Sequence, residues 1–117
     1  MLKIKLINVN TDQVIAEDVK PAYSFWKRLK GLMGTKRLPE STGLHLKPCP
    51  SIHTFFMKYS IDILYLNTNS EIVGIEESLE PGKIGKRFAN VKSVIELPAG
   101  TINRTSLSIG QAVALKK

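Results

Sequence analysis

Apolar and polar residues alternate along much of the chain, a pattern typical of β-strands with one buried face. Segments 2–9 and 13–19 show it first, and the turn-forming residues 10–12 between them predict a β-hairpin. Because a proline ring fixes φ and removes a backbone donor, we expect Pro21 to end the second strand. The chain is therefore predicted to begin with an antiparallel pair of strands.

A short helix is expected next. Ser24 is a suitable N-terminal cap, and Gly34 can end the helix because glycine tolerates the left-handed conformation of a C-terminal cap. Trp26 widens the apolar face of this segment. Four apolar residues recur at helical spacing: Phe25, Leu29, Leu32 and Met33.

Short apolar runs separated by turn residues continue to the end of the sequence. Further strands are predicted over 43–47, 61–67, 71–77, 91–97 and 111–115, with a second helix over 101–107. The total is about seven strands and two short helices. Such a chain is predicted to fold as a single α+β domain over residues 1–117, mainly β, with a compact barrel-like or strongly curved sheet.

Two carboxylates interrupt these apolar strands. Asp62 lies in a run that is apolar on both faces (61–66), and Glu96 lies in a second apolar run (94–97). An ionised carboxylate in such surroundings needs a cation, several backbone amides or a raised pKa, because its desolvation is costly. We therefore expect both acids to have a specific structural or functional role.

Arg28 and His53 are the cations that we expect near these carboxylates. Arg28 lies on the flank of the first helix, where its aliphatic stem can pack on the core while its guanidinium reaches inward. His53 follows a rigid extended segment, Pro48-Cys49-Pro50. Together with the two carboxylates, these cations form either a structural ion pair that anchors the helix to the sheet or a binding site. For His53 alone, a hydrogen-bonded core histidine is the simpler interpretation.

Charge and composition narrow the class of protein. The net charge of +7 favours anionic partners, although a lopsided solvated surface is the simpler explanation. A single cysteine excludes an internal disulfide, and His45 and His53 supply at most half of a metal site, so we expect no metal and no cofactor.

No apolar run approaches the roughly 18 residues of a membrane span. The N-terminus lacks the apolar core of a signal peptide, so a cytoplasmic location is expected.

Three segments resemble motifs of the DUF192 family, also called UPF0127. Residues 28–34 resemble its R-x-x-G-L-M-G signature, residues 51–65 its H-T-F-x-M…I-D-x-x-[FY] block, and residues 94–100 its V-x-E-L-x-A-G block. The resemblance implies a small, β-rich prokaryotic protein, and it implies no particular activity. Its motifs include the four residues already reached from burial: Arg28, His53, Asp62 and Glu96.

The simplest functional interpretation of these residues is a binding module for a small polar or anionic ligand. Arg28 would supply a fork of donors, with Asp62 or Glu96 holding it in position. Phe55 and Met57 would form an apolar wall. The predicted ligand-binding residues are Arg28, His53, Thr54, Met57, Asp62 and Glu96.

Other classes of function stay open. A small enzyme, with hydrolase as the class considered, would use His53 as general acid or base, oriented by Asp62. Cys49 as its nucleophile is a sub-case, for which an inert, partly buried thiol is the simpler interpretation. Nucleic acid could bind the basic residues 27–37 and 83–87, although no RNA- or DNA-binding motif is present. A scaffold for another protein also fits, and the oligomeric state is left open.

Overall fold

Residues 3–117, apart from the side chain of Phe25, are described by a computed structural model in which eight strands and two short helices form two sheets. The start of the first predicted strand, at residue 2, lies outside this description. The prediction of a mainly β fold with two short helices is confirmed. In chain order the elements are β1 (Lys5–Asn8), β2 (Val14–Ala16), β3 (Asp18–Ala22), α1 (Phe25–Lys30), β4 (Thr42–Leu46), β5 (Ile61–Leu66), β6 (Ile72–Leu79), β7 (Ser93–Pro98), α2 (Thr101–Thr105) and β8 (Val113–Lys116).

The strands are divided between a three-stranded and a five-stranded sheet. The smaller sheet has the order β2-β1-β8 and is antiparallel. The larger has the order β3-β4-β7-β5-β6, with β3 and β4 parallel and the other neighbours antiparallel. Because β3 and β6 lie at the edges of the larger sheet, the described strands form open sheets rather than a closed barrel.

The central strands of the larger sheet are the two that carry the acids. All six residues of β5 and all six of β7 are buried, which agrees with their apolar character on both faces. The predicted hairpin of 61–67 with 71–77 is formed by β5 and β6, and the first predicted hairpin is formed by β1 and β2.

The segment predicted as one strand over 13–19 is in fact two strands in different sheets. β2 pairs with β1, whereas β3 begins at Asp18 and pairs with β4. Pro21 lies inside β3 and does not end it. An edge strand tolerates proline because one of its sides has no neighbour to which a backbone N–H must be donated.

The first helix is shorter than predicted. It ends at Gly31, which has a φ of 48°, and Gly34 lies beyond it. Leu32 is buried after the helix has ended, while Trp26 and Leu29 are mostly exposed. The apolar residues of this segment therefore do not form one core-facing stripe, because the chain changes direction between Leu29 and Leu32.

Each face of the five-stranded sheet is covered by a different layer. Leu64 and Ile95 pack against the three-stranded sheet and against Ile102 of α2. Ile63 and Val94 face the other way, toward a layer of connecting segments. That second layer contributes Leu32, Cys49, Ile52 and Met57 to its core. Within residues 3–117, no helix is long and apolar enough to cross a membrane.

Candidate functional site

A cavity of about 290 Å³ lies between the end of α1, the segment after β4 and the face of β7. It is lined by residues 28–33, 46, 48–53, 57 and 96. We call it the motif cavity, because these include residues from all three segments that carry the family resemblance. Four of the six predicted site residues line it: Arg28, His53, Met57 and Glu96. Thr54 and Asp62 do not line it.

Helix α1 brings Arg28 to the cavity. Ser24 caps the helix by accepting a hydrogen bond from the Lys27 amide at 3.2 Å. Arg28 Nη1 donates to the carbonyl oxygens of Tyr23 at 2.8 Å and of Lys47 at 3.4 Å. Within residues 3–117 no carboxylate forms an ion pair with Arg28, so the expectation that Asp62 or Glu96 holds it in position is wrong. Backbone carbonyls hold the guanidinium instead, because the chain before α1 and the end of β4 both pass beside it.

Glu96 is the buried carboxylate of the cavity. Its side chain is 3% exposed, and its Oε1 is buried without a hydrogen-bond partner. Burial raises the pKa of Glu96 to about 7, because the ionised form is poorly solvated there. Gly31 lies directly against it, since a Cβ at this position would stand 3.9 Å from Oε1. An unpaired buried carboxylate oxygen costs stability, so its presence needs an explanation.

Asp62 is equally buried, but both of its carboxylate oxygens accept hydrogen bonds from the backbone. Its Oδ1 accepts from the Ser78 amide at 2.8 Å, and its Oδ2 accepts from the Ile102 amide at 2.9 Å. Ile102 lies in the first turn of α2, where the capping position is Gly100 and offers no side-chain acceptor. Asp62 therefore caps α2 from a neighbouring strand. Of the three alternatives that the sequence left open for this acid, a cation, backbone amides or a raised pKa, backbone amides are the one found here.

The sheet separates the two acids. Asp62 is paired with Leu97, and Glu96 with Ile63, so the two side chains point to opposite faces of the sheet. The prediction that Arg28, His53, Asp62 and Glu96 meet in space is wrong for Asp62. Whether any of the six residues binds a ligand stays a prediction.

His53 lies at the exposed side of the motif cavity and is not a core histidine. Its Nδ1 accepts a hydrogen bond from the Phe55 amide at 3.2 Å, and the two rings stack with centroids 4.9 Å apart. With Nδ1 accepting, the neutral ring carries its proton on Nε2. Asp62 does not orient His53, because it lies on the other face of the sheet. The predicted acid–base pair is therefore not assembled.

Thr54 supports the loop beside the cavity and does not face into it. It is fully buried, its Oγ1 donates to the Glu80 carbonyl at 2.6 Å, and the same oxygen accepts from the Lys83 amide at 2.9 Å. Its own amide donates to the Lys83 carbonyl at 2.8 Å. These bonds fix the segment around His53 to the loop that follows β6.

Cys49 contributes a protonated thiol to the cavity wall. Burial raises its pKa, and this effect outweighs the lowering effect of a backbone hydrogen bond with Ser51. The thiol also donates a hydrogen bond from Sγ to the Ser51 carbonyl at 3.0 Å. Glu96 also raises this pKa, and Arg28 lowers it. Because the thiolate is the reactive form, the geometry favours a structural thiol.

Sequence reasoning missed several residues of the cavity wall. Gly31 and Ile52 line it as unremarked members of the motif blocks, and Leu46 lines it from outside them. The spacing of apolar residues in a loop carries no periodicity, so no sequence pattern identifies which of them face a cavity. Within the described residues, no three His, Cys, Asp or Glu side chains are grouped so that they could hold a metal ion.

Comparison with known proteins places this fold in a family. The model of DUF192 (Uncharacterized ACR) matches residues 6–115. A UPF0127 protein of Thermococcus sibiricus is 34% identical over 116 residues, covering 92% of this chain and 72% of that protein. A UPF0127 protein of Pyrococcus furiosus is 31% identical over 112 residues, covering 90% of this chain and 92% of its own length.

Solved structures show the same fold at low sequence identity. The crystal structure of a protein of unknown function from Novosphingobium aromaticivorans superposes with a TM-score of 0.81 at 17% identity, covering 97% of this chain and 84% of that one. A protein from Sinorhizobium meliloti superposes with a TM-score of 0.78 at 22% identity, covering 96% and 91%. From the extent of the family match and the identity to these relatives, the chain belongs to the DUF192 (UPF0127) family.

Proposed function

We propose that this protein binds a small polar ligand in the motif cavity. The observation that carries the proposal is Oε1 of Glu96, which is buried on the cavity wall without a hydrogen-bond partner. A bound molecule that donates a hydrogen bond to this oxygen would remove the cost of leaving it unpaired.

The residues around Glu96 indicate what such a ligand carries. Arg28 uses Nη1 for backbone carbonyls, and the rest of its donor fork can meet an acceptor or an anionic group. His53 adds an Nε2–H donor, since its Nδ1 accepts from the backbone. The ligand that fits best has a hydrogen-bond donor at one end, for Glu96, and an acceptor or anionic group at the other.

The remaining walls suit the body of a small molecule. Leu32, Leu46, Ile52 and Met57 make them largely apolar. The volume of about 290 Å³ lies near the lower end of the roughly 300–1,000 Å³ typical of ligand pockets. A compact metabolite-sized molecule is therefore a better match than a polymer.

The experiment is an NMR titration of ¹⁵N-labelled protein with three small probes. Glycine carries both a donor and an acceptor group, methylguanidine carries only donors, and acetate carries only acceptors. We expect saturable shifts of the Gly31 and Ile52 amides, strongest for the probe with both groups.

Matched variants decide whether these shifts report the proposed site. Glu96→Gln and Arg28→Gln should each weaken binding about tenfold, the value of one charge-assisted hydrogen bond. Glu77→Gln and Arg87→Gln make the same changes at exposed positions outside the cavity and should leave binding unchanged. Shifts that do not saturate, or that persist unchanged in Glu96→Gln, would show that the proposal is wrong.

A further inference from the structure

A second groove lies where the five-stranded sheet meets the three-stranded sheet. It has two adjoining parts of about 340 and 290 Å³, which share His45, Lys47 and Ser70. The first part is walled mainly by apolar side chains of both sheets, among them Leu66, Ile95, Val113 and Leu115. The second part is walled by lysine, hydroxyl and amide side chains. We call the two parts the apolar arm and the basic arm.

The groove is separate from the motif cavity. Successive residues of a strand point to opposite faces, so His45 faces the groove while Leu46 lines the cavity. Of the residues that line the groove, only Pro48 also lines the motif cavity. A ligand in the groove would therefore make no use of the motif cavity.

His45 lies at the junction of the two arms with an unused polar atom. It is 7% exposed, its Nδ1 is 2.8 Å from the Tyr23 hydroxyl oxygen, and its Nε2 is buried without a hydrogen-bond partner. Burial, followed by the charge of Lys47, lowers the pKa of His45 to about 4, so the ring is neutral at pH 7. Burial raises the pKa of the Tyr23 hydroxyl, which keeps its proton. If the Tyr23 hydroxyl donates to Nδ1, the imidazole carries its hydrogen on Nε2.

The basic arm concentrates positive charge without a compensating acid. Lys47 and Lys92 line it, none of its lining residues is acidic, and within residues 3–117 neither lysine forms an ion pair. Hydroxyl groups of Thr68, Ser70 and Ser93 line the same arm. Ammonium and hydroxyl donors around one space are the groups that bind an oxyanion.

We propose that this groove binds a small organic anion. Its carboxylate or phosphate group lies in the basic arm, where Lys47, Lys92 and the Nε2–H of His45 donate to it. Its hydrocarbon part lies in the apolar arm between the two sheets. The ligand spans both arms because His45, whose Nε2 is buried without a partner, lines both of them.

The first test is an NMR titration of the ¹⁵N-labelled full chain with hexanoate at pH 7. We expect saturable shifts of the His45, Ser70 and Ser93 amides. Hexanamide has nearly the same shape without the charge and should bind at least about tenfold more weakly, since charge-assisted hydrogen bonds are lost. Acetate lacks the tail and should also bind more weakly, because each buried methylene increases affinity about fourfold. Hexyl phosphate, compared with hexanoate, identifies which oxyanion the basic arm prefers.

Charge variants and the imidazole tautomer complete the test. Lys47→Gln and Lys92→Gln should each weaken hexanoate binding about tenfold. Lys36→Gln, at an exposed lysine outside both the groove and the motif cavity, should leave the Kd unchanged. The ¹⁵N shifts of the His45 ring should report hydrogen on Nε2. Shifts that do not saturate, equal binding of hexanamide and hexanoate, equal weakening by Lys36→Gln, or hydrogen on Nδ1 would each overturn the proposal.

Discussion

The two faces of the five-stranded sheet treat a buried carboxylate in opposite ways. On the face toward the three-stranded sheet, both oxygens of Asp62 accept hydrogen bonds from backbone amides. One of these amides belongs to the first turn of α2, so the acid caps that helix. Toward the motif cavity, Glu96 is almost as buried, yet its Oε1 has no partner. The hydrogen bonds of Asp62 are complete and are explained by folding alone, whereas the unpaired oxygen of Glu96 beside the cavity is the observation on which the proposed ligand site rests.

The largest loss of stability is expected for changes at Asp62, the acid whose two oxygens both accept hydrogen bonds. Asp62→Ala leaves the amides of Ser78 and Ile102 buried without acceptors and should lower the free energy of unfolding by about 4 kcal/mol. Asp62→Asn keeps one acceptor oxygen and should cost about half as much. Urea unfolding measures both, with Asp12→Asn in an exposed turn as the control. If Asp62→Asn were as stable as wild type, the structural role of this acid would be disproved.

Glu96 should make stability depend on pH in the opposite sense to a paired acid. Its pKa is about 7 in the folded protein and 4.5 as the reference value, so between these values only the folded state holds the proton. The free energy of unfolding should therefore fall as pH rises from about 4.5 to about 7, by about 3 kcal/mol, and stay level above that range.

Glu96→Gln isolates this contribution, because the other titrating groups are common to both proteins. The difference in unfolding free energy between variant and wild type should grow across this pH range, leaving Glu96→Gln the more stable at pH 8. Glu77→Gln is the matched control, and it should show no such difference because Glu77 is exposed. A pH-independent difference would mean that folding does not raise the pKa of Glu96, and the prediction would then be wrong.

The loop on the cavity side depends on one buried hydroxyl. Thr54→Val keeps the shape of the side chain and removes the bonds to the Glu80 carbonyl and the Lys83 amide, so it should cost about 2 kcal/mol. The Lys83 amide should exchange with solvent faster than in wild type. Thr68→Val, in an exposed turn, is the control. An unchanged exchange rate of the Lys83 amide would contradict the role of Thr54 in holding this loop.

The smallest effect is expected at the helix that carries Arg28. Ser24→Ala removes the N-terminal cap of α1 and should cost about 1 kcal/mol, because one first-turn amide loses its acceptor. Exchange of the Lys27 amide measures the change locally, and Ser60→Ala serves as the control. A loss as large as that of Asp62→Ala would show that α1 is as tightly integrated as α2, and the contrast between the two faces would weaken.

Much of the fold could be predicted from local patterns. Both hairpins, the burial of β5 and β7, and the cap at Ser24 follow from alternation and turn chemistry within short segments. The division of 13–19 between two sheets could not, because a single alternating run does not say with which strand each part pairs. The end of α1 at Gly31 rather than Gly34 was equally undetermined, since either glycine can adopt a positive φ.

Only some of the residues that line the motif cavity could be predicted from the sequence. Arg28, His53 and Glu96 were identified because charged residues in apolar surroundings are conspicuous in a sequence. Leu46 and Ile52 were not, since apolar residues are expected in any core. The groove around His45 was also missed, because its two arms come from strands and turns far apart in the chain.

The sequence by itself determined that Asp62 and Glu96 are buried, and which neighbours each shares a face with in its own strand. Only the tertiary structure decided that the two acids lie on opposite faces. The register of β5 against β7 pairs Asp62 with Leu97, and a shift of one residue would have placed it opposite Glu96. That register is set by packing between paired residues that lie 27 to 37 positions apart in sequence, and no local pattern in either strand contains it.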